Sequence, residues 1–316
     1  MTSTIPHIPH RTIIAKNDGP HLLITGGVHG DEWEPMAAAR RLIPLFEKSL
    51  DRGKVTIAPV VNEAAFARAW RTAEDDSDLA RICPGDAAGS ITHRTAVALT
   101  ALIHSADFYI DLHTAGTRLS MLAMCGYTLH RDPNTLDVQR RMAKAFNLPI
   151  VWGTSPNLHG RSLSVARDAN IPAIYTELGG GGMCSAQGID DYVEGCLNVA
   201  AELQLIEPRL REDRLTYIVE DDRDQSGHLQ IQHPAPRAGY FEPAVALGDV
   251  VRKGETLGTI LDSLGDDPAD VACLDDGLVL MLRACPSVQK GDALCSLLPI
   301  IEPGEVRIGV THDPAV

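Results

Sequence analysis

Short apolar runs alternate with longer amphipathic stretches over the first two-thirds of the chain. The apolar runs have the length of buried strands and lie at about residues 22–26, 55–61, 107–112, 149–152 and 171–177. The stretches between them repeat apolar residues every three or four positions and predict helices over 34–46, 92–103, 134–146 and 189–206, with Thr92 and Asn134 as N-caps. Such alternation predicts an α/β fold with helices on both faces of a sheet.

The pattern changes after Glu207-Pro208, where short apolar runs are separated by turns that contain Gly and Asp. This arrangement is typical of β structure. We therefore predict two domains, an α/β domain over residues 1–210 and an all-β domain over residues 211–316. Two passages of the second part, 250–257 and 288–294, are similar to each other, so its β fold is expected to be internally duplicated.

Composition narrows the classes of function. The net charge of −14 excludes a basic surface for nucleic acid. No apolar stretch approaches the length of about 20 residues that crosses a bilayer, and the N-terminus lacks the apolar region of a secretory signal. The seven cysteines are scattered and form no Cys-x-x-Cys pair, which favours reduced thiols and a cytoplasmic protein.

A histidine and a glutamate stand three positions apart just after the first apolar run. The run ends in Gly26-Gly27, and His29 and Glu32 follow in the turn. Both side chains bind zinc, and a catalytic zinc site typically has three protein ligands and one open position. His113, at the end of the run 107–112, supplies the third ligand. Each histidine alone is also compatible with a structural role, because the chain has 12 of them; the combination predicts a zinc site.

A second glutamate has the properties of a general base. Glu177 ends another apolar run and precedes four glycines with one leucine between, where the backbone can approach a ligand closely. Metal-assisted hydrolysis needs a carboxylate that is not a ligand and takes a proton from the attacking water. Ligands bind at the carboxyl ends of strands in α/β sheets, which is where these residues fall. Asp111, on the same run as His113, is a candidate to accept a hydrogen bond from that imidazole.

The order of these motifs resembles the succinylglutamate desuccinylase/aspartoacylase family of the zinc carboxypeptidase superfamily, and within it the N-acyl-amino-acid deacylases. The resemblance extends to Pro59-Val60-Val61-Asn62 and to residues 78–85, where Asp-Leu-Ala-Arg-Ile-Cys-Pro-Gly stands for the family's Asp-Leu-Asn-Arg-x-Phe-Pro-Gly. It covers about residues 21–205 and continues more loosely to residue 299. It implies a mixed sheet flanked by helices, as in zinc carboxypeptidases, and an appended β domain of the biotinyl/lipoyl barrel-sandwich type.

The resemblance also implies roles for arginines. Arg71 matches the family arginine that polarises the scissile carbonyl, and Arg81 matches the one that grips a substrate carboxylate. A guanidinium suits both tasks because its charge is permanent and its donors are planar. Arg167, ten residues before Glu177, matches a further substrate-binding arginine, with Arg161 and His159 as alternatives.

Three segments depart from the family pattern or carry no role in it. Ala80 stands where the family has an Asn that helps to hold the substrate carboxylate, and alanine cannot donate a hydrogen bond. The acidic loop 73–78 is expected to be solvated. Residues 261–267, which match the hairpin of biotinyl and lipoyl carriers, contain no lysine. We therefore interpret the β domain as a wall of the active site or as a contact between copies in a homo-oligomer.

Together these features predict an amidohydrolase with one Zn²⁺ per chain that removes the acyl group from an N-acylated amino acid or a similar small amide. His29, Glu32 and His113 hold the metal, Glu177 and Arg71 act in catalysis, and Arg81 and Arg167 bind the small-molecule substrate. A metallocarboxypeptidase acting on peptides would use the same residues. A non-catalytic relative that binds a metal or ligand is the third alternative, although it would not need Glu177.

Overall fold

The computed structural model describes residues 4–299 and the strand Val306–Val310. The helices are α1 (Trp33–Ser49), α2 (Glu63–Ala67), α3 (Leu79–Ile82), α4 (Ile91–His104), α5 (Pro133–Phe146), α6 (Ser162–Asp168) and α7 (Ala186–Glu202), and one 3-10 turn spans Leu229–Ile231. The strands are β1 (Arg11–Ile14), β2 (Asn17–Thr25), β3 (Arg52–Ala58), β4 (Phe108–Leu112), β5 (Leu119–Thr128), β6 (Ile150–Thr154), β7 (Ala173–Gly180), β8 (Tyr217–Asp221), β9 (His233–Pro234), β10 (Gly239–Pro243), β11 (Val250–Val251), β12 (Thr256–Leu261), β13 (Ala269–Ala272), β14 (Gly277–Arg283), β15 (Ser287–Val288), β16 (Ala293–Leu298) and β17 (Val306–Val310).

Within the described chain, 13 strands form one mixed sheet. Strands β3, β2, β4 and β7 are parallel neighbours in this order, whereas β5 is antiparallel to β7 and parallel to β6. The five predicted strands correspond to β2, β3, β4, β6 and β7. Strands β1 and β5 were not predicted, because neither shows a clear alternation of buried and exposed positions. Since β2, β4 and β7 run in the same direction, their carboxyl ends meet at one edge of the sheet.

Both faces of the central strands are buried, as predicted. Leu22 and Ile24 of β2 belong to a core cluster with residues of α1, α5 and α7. Leu23, between them, belongs to the cluster on the opposite face, with residues of α4 and α6. Successive side chains of a strand point to opposite faces, and each buried leucine or isoleucine stabilises the fold by about 1.5–3 kcal/mol. The sheet therefore lies between two layers of helices.

Two helices begin at other caps than the predicted ones. Helix α5 begins after Asp132, whose side chain accepts a hydrogen bond of 3.3 Å from the N–H of Asn134. Helix α4 begins after Ser90, and Thr92 lies inside its first turn. The N–H and hydroxyl of Thr92 donate to the carboxylate of Asp75 at 3.1 and 2.7 Å. A residue from a preceding loop thus satisfies the helix end, and local sequence does not reveal such a partner.

After residue 210 the described chain forms strands and one 3-10 turn but no α-helix. Strands β13, β12, β10 and β15 form a second sheet, which packs on β11, β14 and β16 through a common apolar cluster that includes Phe241, Leu257 and Leu294. Strand β8 pairs with β6, and β14 pairs with β5, so one layer of this β region is continuous with the large sheet. The division into domains at residue 210 stays a prediction. Residues 300–305 and 311–316 of the predicted second domain lie outside the described residues.

The two similar passages of the β region have the same local structure. Each consists of a two-residue strand, a turn and a six-residue strand: β11 and β12 in the first passage, β15 and β16 in the second. The turns contain Gly254 and Gly291 with φ of 89° and 90°, a conformation that residues with a side chain rarely adopt. The backbone conformation therefore explains why both turns contain a glycine, which agrees with the predicted internal duplication.

The expectations from composition are compatible with the structure. All seven cysteines lie in the described part of the chain, and none is in a disulfide. Five of them are buried, and Cys184 is exposed. Among the described helices, none has the length and the apolar character that crossing a bilayer requires.

Candidate active site

The three predicted metal ligands converge at the carboxyl ends of β2 and β4. His29, Glu32 and His113 are buried, and one ligand atom of each lies within 4.8 Å of the others. Glu32 stands between the histidines: Oε1 is 2.7 Å from Nδ1 of His29, and Oε2 is 3.1 Å from Nδ1 of His113. Nδ1 is therefore the nitrogen that faces the glutamate in both imidazoles. Two imidazoles and one carboxylate fit the donor set of a catalytic zinc site.

A carboxylate holds the outer nitrogen of each imidazole. Nε2 of His113 lies 3.1 Å from Oδ2 of Asp111, which confirms the hydrogen bond predicted for Asp111. Asp111 is fully buried and also accepts hydrogen bonds from the hydroxyls of Thr25 and Ser162. Nε2 of His29 lies 3.2 Å from Oδ1 of Asp78. Such carboxylates fix the orientation of a ligating ring and raise its basicity.

Asp78 corrects the expectation that the acidic loop 73–78 is solvated. Its Oδ1 also accepts a hydrogen bond of 2.9 Å from the N–H of Ala80 and caps α3. Its Oδ2 accepts from Nε and Nη2 of Arg71 at 3.1 and 2.9 Å. Burial would raise the pKa of this carboxyl, but His29 and Arg71 hold the pKa well below its usual range. Asp78 therefore connects the candidate ligand His29, the guanidinium of Arg71 and helix α3, which carries Arg81. The sequence contained it within a family motif without indicating this task.

Arg71 lies beside the candidate metal ligands, and its catalytic role stays a prediction. While Asp78 binds Nε and Nη2, the remaining nitrogen Nη1 is 3.7 Å from Oε1 of Glu32. A guanidinium fixed in this way offers a positive charge and free N–H donors next to the ligands. Such preorganised donors stabilise negative charge that develops on a reacting carbonyl oxygen.

Glu177 lies next to the cluster but is not part of it. The N–H of His113 donates to the carbonyl of Thr176 at 3.0 Å, which places the following residue, Glu177, alongside the ligand strand. Its Oε2 is buried and has no hydrogen-bond partner among the residues that the structure describes. Burial raises the pKa of the Glu177 carboxyl to about 8, against the opposing effect of His113. A divalent cation at the cluster would lower this pKa, because it stabilises the charged form.

One cavity contains these groups. His29, Glu32, His113, Arg71 and Glu177 all line it. Its other polar lining residues are Arg81, Asp111, Thr114, Thr128, Thr154, Arg161, Ser162, Tyr175 and Gln230. Residues from beyond β8 close one side, namely Gly227, Leu229, Gln230 and Met281. The β region is thus a wall of the cavity, which was one of the two interpretations of it.

The residues that line the cavity include Arg81 and Arg161 but not Arg167, whose role in substrate binding stays a prediction. Arg167 donates from Nη1 to the carbonyls of Pro156 and Leu158 at 2.6 and 2.7 Å, and these contacts hold its guanidinium against the preceding loop. Arg161 immediately precedes α6. Burial and the neighbouring charge of Arg81 lower the pKa of Arg161 to about 10. In addition to Arg71, the guanidiniums of Arg81 and Arg161 therefore face the cavity.

Glycine is required in the turn between two of the ligands. A Cβ atom on Gly30 would lie 2.1 Å from the carbonyl carbon of Ala65 and 2.2 Å from its oxygen. Gly30→Ala is therefore expected to lower the free energy of unfolding by about 1–3 kcal/mol. It should also weaken metal binding, because the turn carries His29 and Glu32. Denaturant unfolding and metal titration measure the two effects. A variant within about 0.5 kcal/mol of the parent, with unchanged metal affinity, would contradict this expectation.

Comparison with known proteins identifies the family of the chain. The profile of the succinylglutamate desuccinylase/aspartoacylase catalytic domain matches residues 18–203. The N-alpha-acetyl-L-2,4-diaminobutyric acid deacetylase of Halomonas elongata is 31% identical over 301 residues, which are 92% of this chain and 85% of the relative. Two solved structures, the product-bound ectoine utilization protein EutE (DoeB) of Ruegeria pomeroyi and a succinylglutamate desuccinylase/aspartoacylase of Rhodobacter sphaeroides, have TM-scores of 0.81 and 0.79 at 26% and 29% identity. Each of these comparisons covers 92% of this chain and 88% of the other. Because the matched profile spans more than half of the sequence and contains all three candidate metal ligands, the chain belongs to the succinylglutamate desuccinylase/aspartoacylase family.

Proposed function

We propose that this protein is a zinc-dependent amidohydrolase that removes the acyl group from an N-acylated amino acid. The observation that carries the proposal is the convergence of three kinds of group in one cavity. These are a buried His-Glu-His cluster, a glutamate outside that cluster with an unpaired oxygen, and a pair of arginines. We further propose a cytoplasmic location, which the unpaired cysteines support.

His29, Glu32 and His113 would hold the zinc ion. When bound, zinc supplies Lewis acidity, which polarises the scissile carbonyl and makes the attacking water more acidic. Glu177 takes the proton of that water and then delivers it to the leaving nitrogen, because this residue lines the same cavity as the three candidate ligands. Arg71 stabilises the negative charge on the carbonyl oxygen through Nη1.

The two cavity arginines support an anionic substrate. A carboxylate accepts paired hydrogen bonds from a guanidinium, and no carboxylate of the described chain forms an ion pair with Arg81 or Arg161 within 4.0 Å. Because the relative from Halomonas elongata is named for N-alpha-acetyl-L-2,4-diaminobutyric acid, we propose that compound as the first substrate to be tested. Acyl groups other than acetyl are part of the same test.

Peptidase activity is the alternative that uses the same catalytic residues. A carboxypeptidase needs an open groove for the chain that precedes the scissile bond. Here Leu229, Gln230 and Met281 close one side of the cavity, which argues for a small substrate. A non-catalytic role would leave the unpaired carboxylate of Glu177 without a purpose.

A substrate screen tests the proposal. Zinc-loaded protein is assayed for release of free amine from N-acetyl, N-succinyl and N-formyl amino acids, and from peptides with a free C-terminus. The metal-free protein and Glu177→Gln serve as controls for contaminating hydrolases. We expect hydrolysis of acylated amino acids and none of peptides. Peptide hydrolysis would favour the carboxypeptidase, and inertness toward every compound would favour a binding protein.

Two matched arginine variants test which of the arginines anchors the substrate. Arg161→Ala is expected to raise KM strongly, because a charge-assisted contact to the substrate carboxylate is lost. The rise should correspond to a loss of about 2–3 kcal/mol of binding free energy. Arg167→Ala should change KM by less than about threefold, since its guanidinium is bound to loop carbonyls. Steady-state kinetics on the best substrate of the screen provide both values. The opposite ranking would return the role to Arg167.

A further inference from the structure

A glutamine from the β region reaches the arginine that follows Ala80. Oε1 of Gln230, on the 3-10 turn Leu229–Ile231, accepts a hydrogen bond of 3.1 Å from Nη2 of Arg81. The two residues are 149 positions apart in the sequence. Gln230 and Ala80 both line the catalytic cavity. A side-chain amide therefore stands beside Arg81, although the chain lacks the asparagine that the family resemblance predicts at position 80.

Hydrogen bonds on both sides of Gln230 hold the 3-10 turn in place. The hydroxyl of Ser296 donates to the carbonyl of Leu229, and the side chain of Gln232 accepts a hydrogen bond of 2.8 Å from the N–H of Leu297. Both partners belong to β16, a strand of the large sheet. The backbone that carries Gln230 is thus held in place, and the hydrogen bond from Arg81 orients its amide before any ligand binds, which lowers the entropy that binding costs.

The amide of Gln230 retains its donors. An amide side chain has one acceptor oxygen and an NH₂ group with two donors. The oxygen is bound to Arg81, and no acceptor among the described residues pairs with Nε2. The guanidinium of Arg161 lines the same cavity and also lacks a carboxylate partner there. The charges of Asp78 and Glu177 act on Arg81, but neither Arg81 nor Arg161 forms an ion pair with a carboxylate of the described residues. Both guanidiniums and the NH₂ group of Gln230 therefore retain donors at the cavity.

We propose that Gln230 replaces the missing amide at position 80 and donates from Nε2 to the free carboxylate of the substrate, held between Arg81 and Arg161. The inference rests on the proposed deacylase function and narrows its substrate class to N-acyl amino acids whose own carboxylate is neither esterified nor amidated. The amide that the family carries on α3 is here supplied by the β region. The β region thereby takes part in substrate selection.

Three variants test the replacement: Gln230→Ala, Ala80→Asn, and the two combined. With the best acyl amino acid, Gln230→Ala should raise KM about ten- to a hundredfold, the usual range for a lost hydrogen bond to a charged group, and leave kcat within about threefold. The carboxamide analogue of the same substrate should lose less than about threefold. The combined variant should recover the parent KM to within about threefold, because asparagine restores a donor beside Arg81.

Binding to inactive protein provides a second measurement. In a Glu177→Gln background, calorimetry should give a Kd for the acyl amino acid that weakens about ten- to a hundredfold with Gln230→Ala, in parallel with KM. Asp224→Ala, an exposed change on the segment that precedes the 3-10 turn, is the matched control and should leave Kd unchanged. Circular dichroism and metal content show that each variant is folded and loaded.

The outcomes separate this inference from the function on which it rests. If the parent protein neither binds nor cleaves any acyl amino acid, the proposed function itself fails. If the parent is active but Gln230→Ala leaves KM within twofold, or raises it equally for acid and carboxamide, Gln230 does not bind the carboxylate. If the combined variant does not recover KM, Gln230 does not stand in for the amide at position 80.

Discussion

Glu177→Gln is expected to lower kcat by about two to four orders of magnitude while zinc stays bound. Glutamine keeps the shape of the side chain but accepts no proton, so the attacking water loses its base. The metal ligands are unchanged, because Glu177 lies outside the His-Glu-His cluster. Steady-state kinetics and elemental analysis of the same sample separate the two effects.

The pH profile provides a further test of the same residue. Burial raises the pKa of the Glu177 carboxyl to about 8, and a bound cation lowers it. The protonated acid cannot act as a base, so kcat/KM of the parent should fall as the pH drops through the pKa of Glu177 in the loaded enzyme. The residual activity of Glu177→Gln should lack this acidic limb. Glu74→Gln, the same change at an exposed position, serves as control. Turnover of Glu177→Gln within tenfold of the parent would show that another group is the base.

His113→Ala is expected to reduce the zinc content well below one per chain and to abolish turnover. Two protein ligands would remain, and catalytic zinc sites characteristically use three. His104→Ala, which removes an exposed imidazole at the end of α4, should retain full zinc content and activity. Elemental analysis after dialysis provides the zinc content. Full occupancy in His113→Ala would remove this residue from the ligand set.

A smaller loss of zinc affinity is expected when the residue that orients His113 is changed. Asp111→Ala removes the acceptor that orients Nε2 of His113 but leaves all three ligands in place. Zinc affinity should fall by about 10–100-fold, less than in His113→Ala. Titration with a competing chelator measures this difference. Equal losses in the two variants would mean that Asp111 is needed for folding rather than for the orientation of the ring.

The parts of the site that lie at strand ends were predictable from the sequence. Each apolar run marks a buried strand, and parallel strands deliver the residues at their carboxyl ends to the same edge of the sheet. His29, Glu32 and His113 follow this rule, so the pattern and a short motif were enough to name them. Glu177 lies one residue beyond the last parallel pair of β7 with β4, but β7 continues against β5 to Gly180, so the end of the apolar run was not the end of the strand. Asp111 was predictable for a related reason, since alternate residues of a strand share a face.

Spacing along the chain was not enough to place a functional residue that lies on a loop or a short helix. Arg167 has the spacing of a substrate-binding arginine, but the loop that precedes α6 supplies carbonyls that bind its guanidinium. Arg161 occupies the cavity instead. The path of a loop depends on tertiary contacts, and sequence distance does not report them. The same reason explains why the acidic loop was expected in solvent although Asp78 lies between His29 and Arg71.

By itself, the sequence determined the α/β architecture, the three candidate metal ligands and the glutamate beside them, because strand periodicity and strand ends are local properties of the chain. Only the tertiary structure decided how the site is completed. It joined the β region to the large sheet through β5 and β14, and it brought Gln230 to Arg81 across 149 residues. Such contacts depend on how distant segments pack, and no local pattern encodes them. At position 80 the sequence has an alanine where the family resemblance predicts an asparagine. The fold shows that the side chain of Gln230 lies beside the neighbouring Arg81.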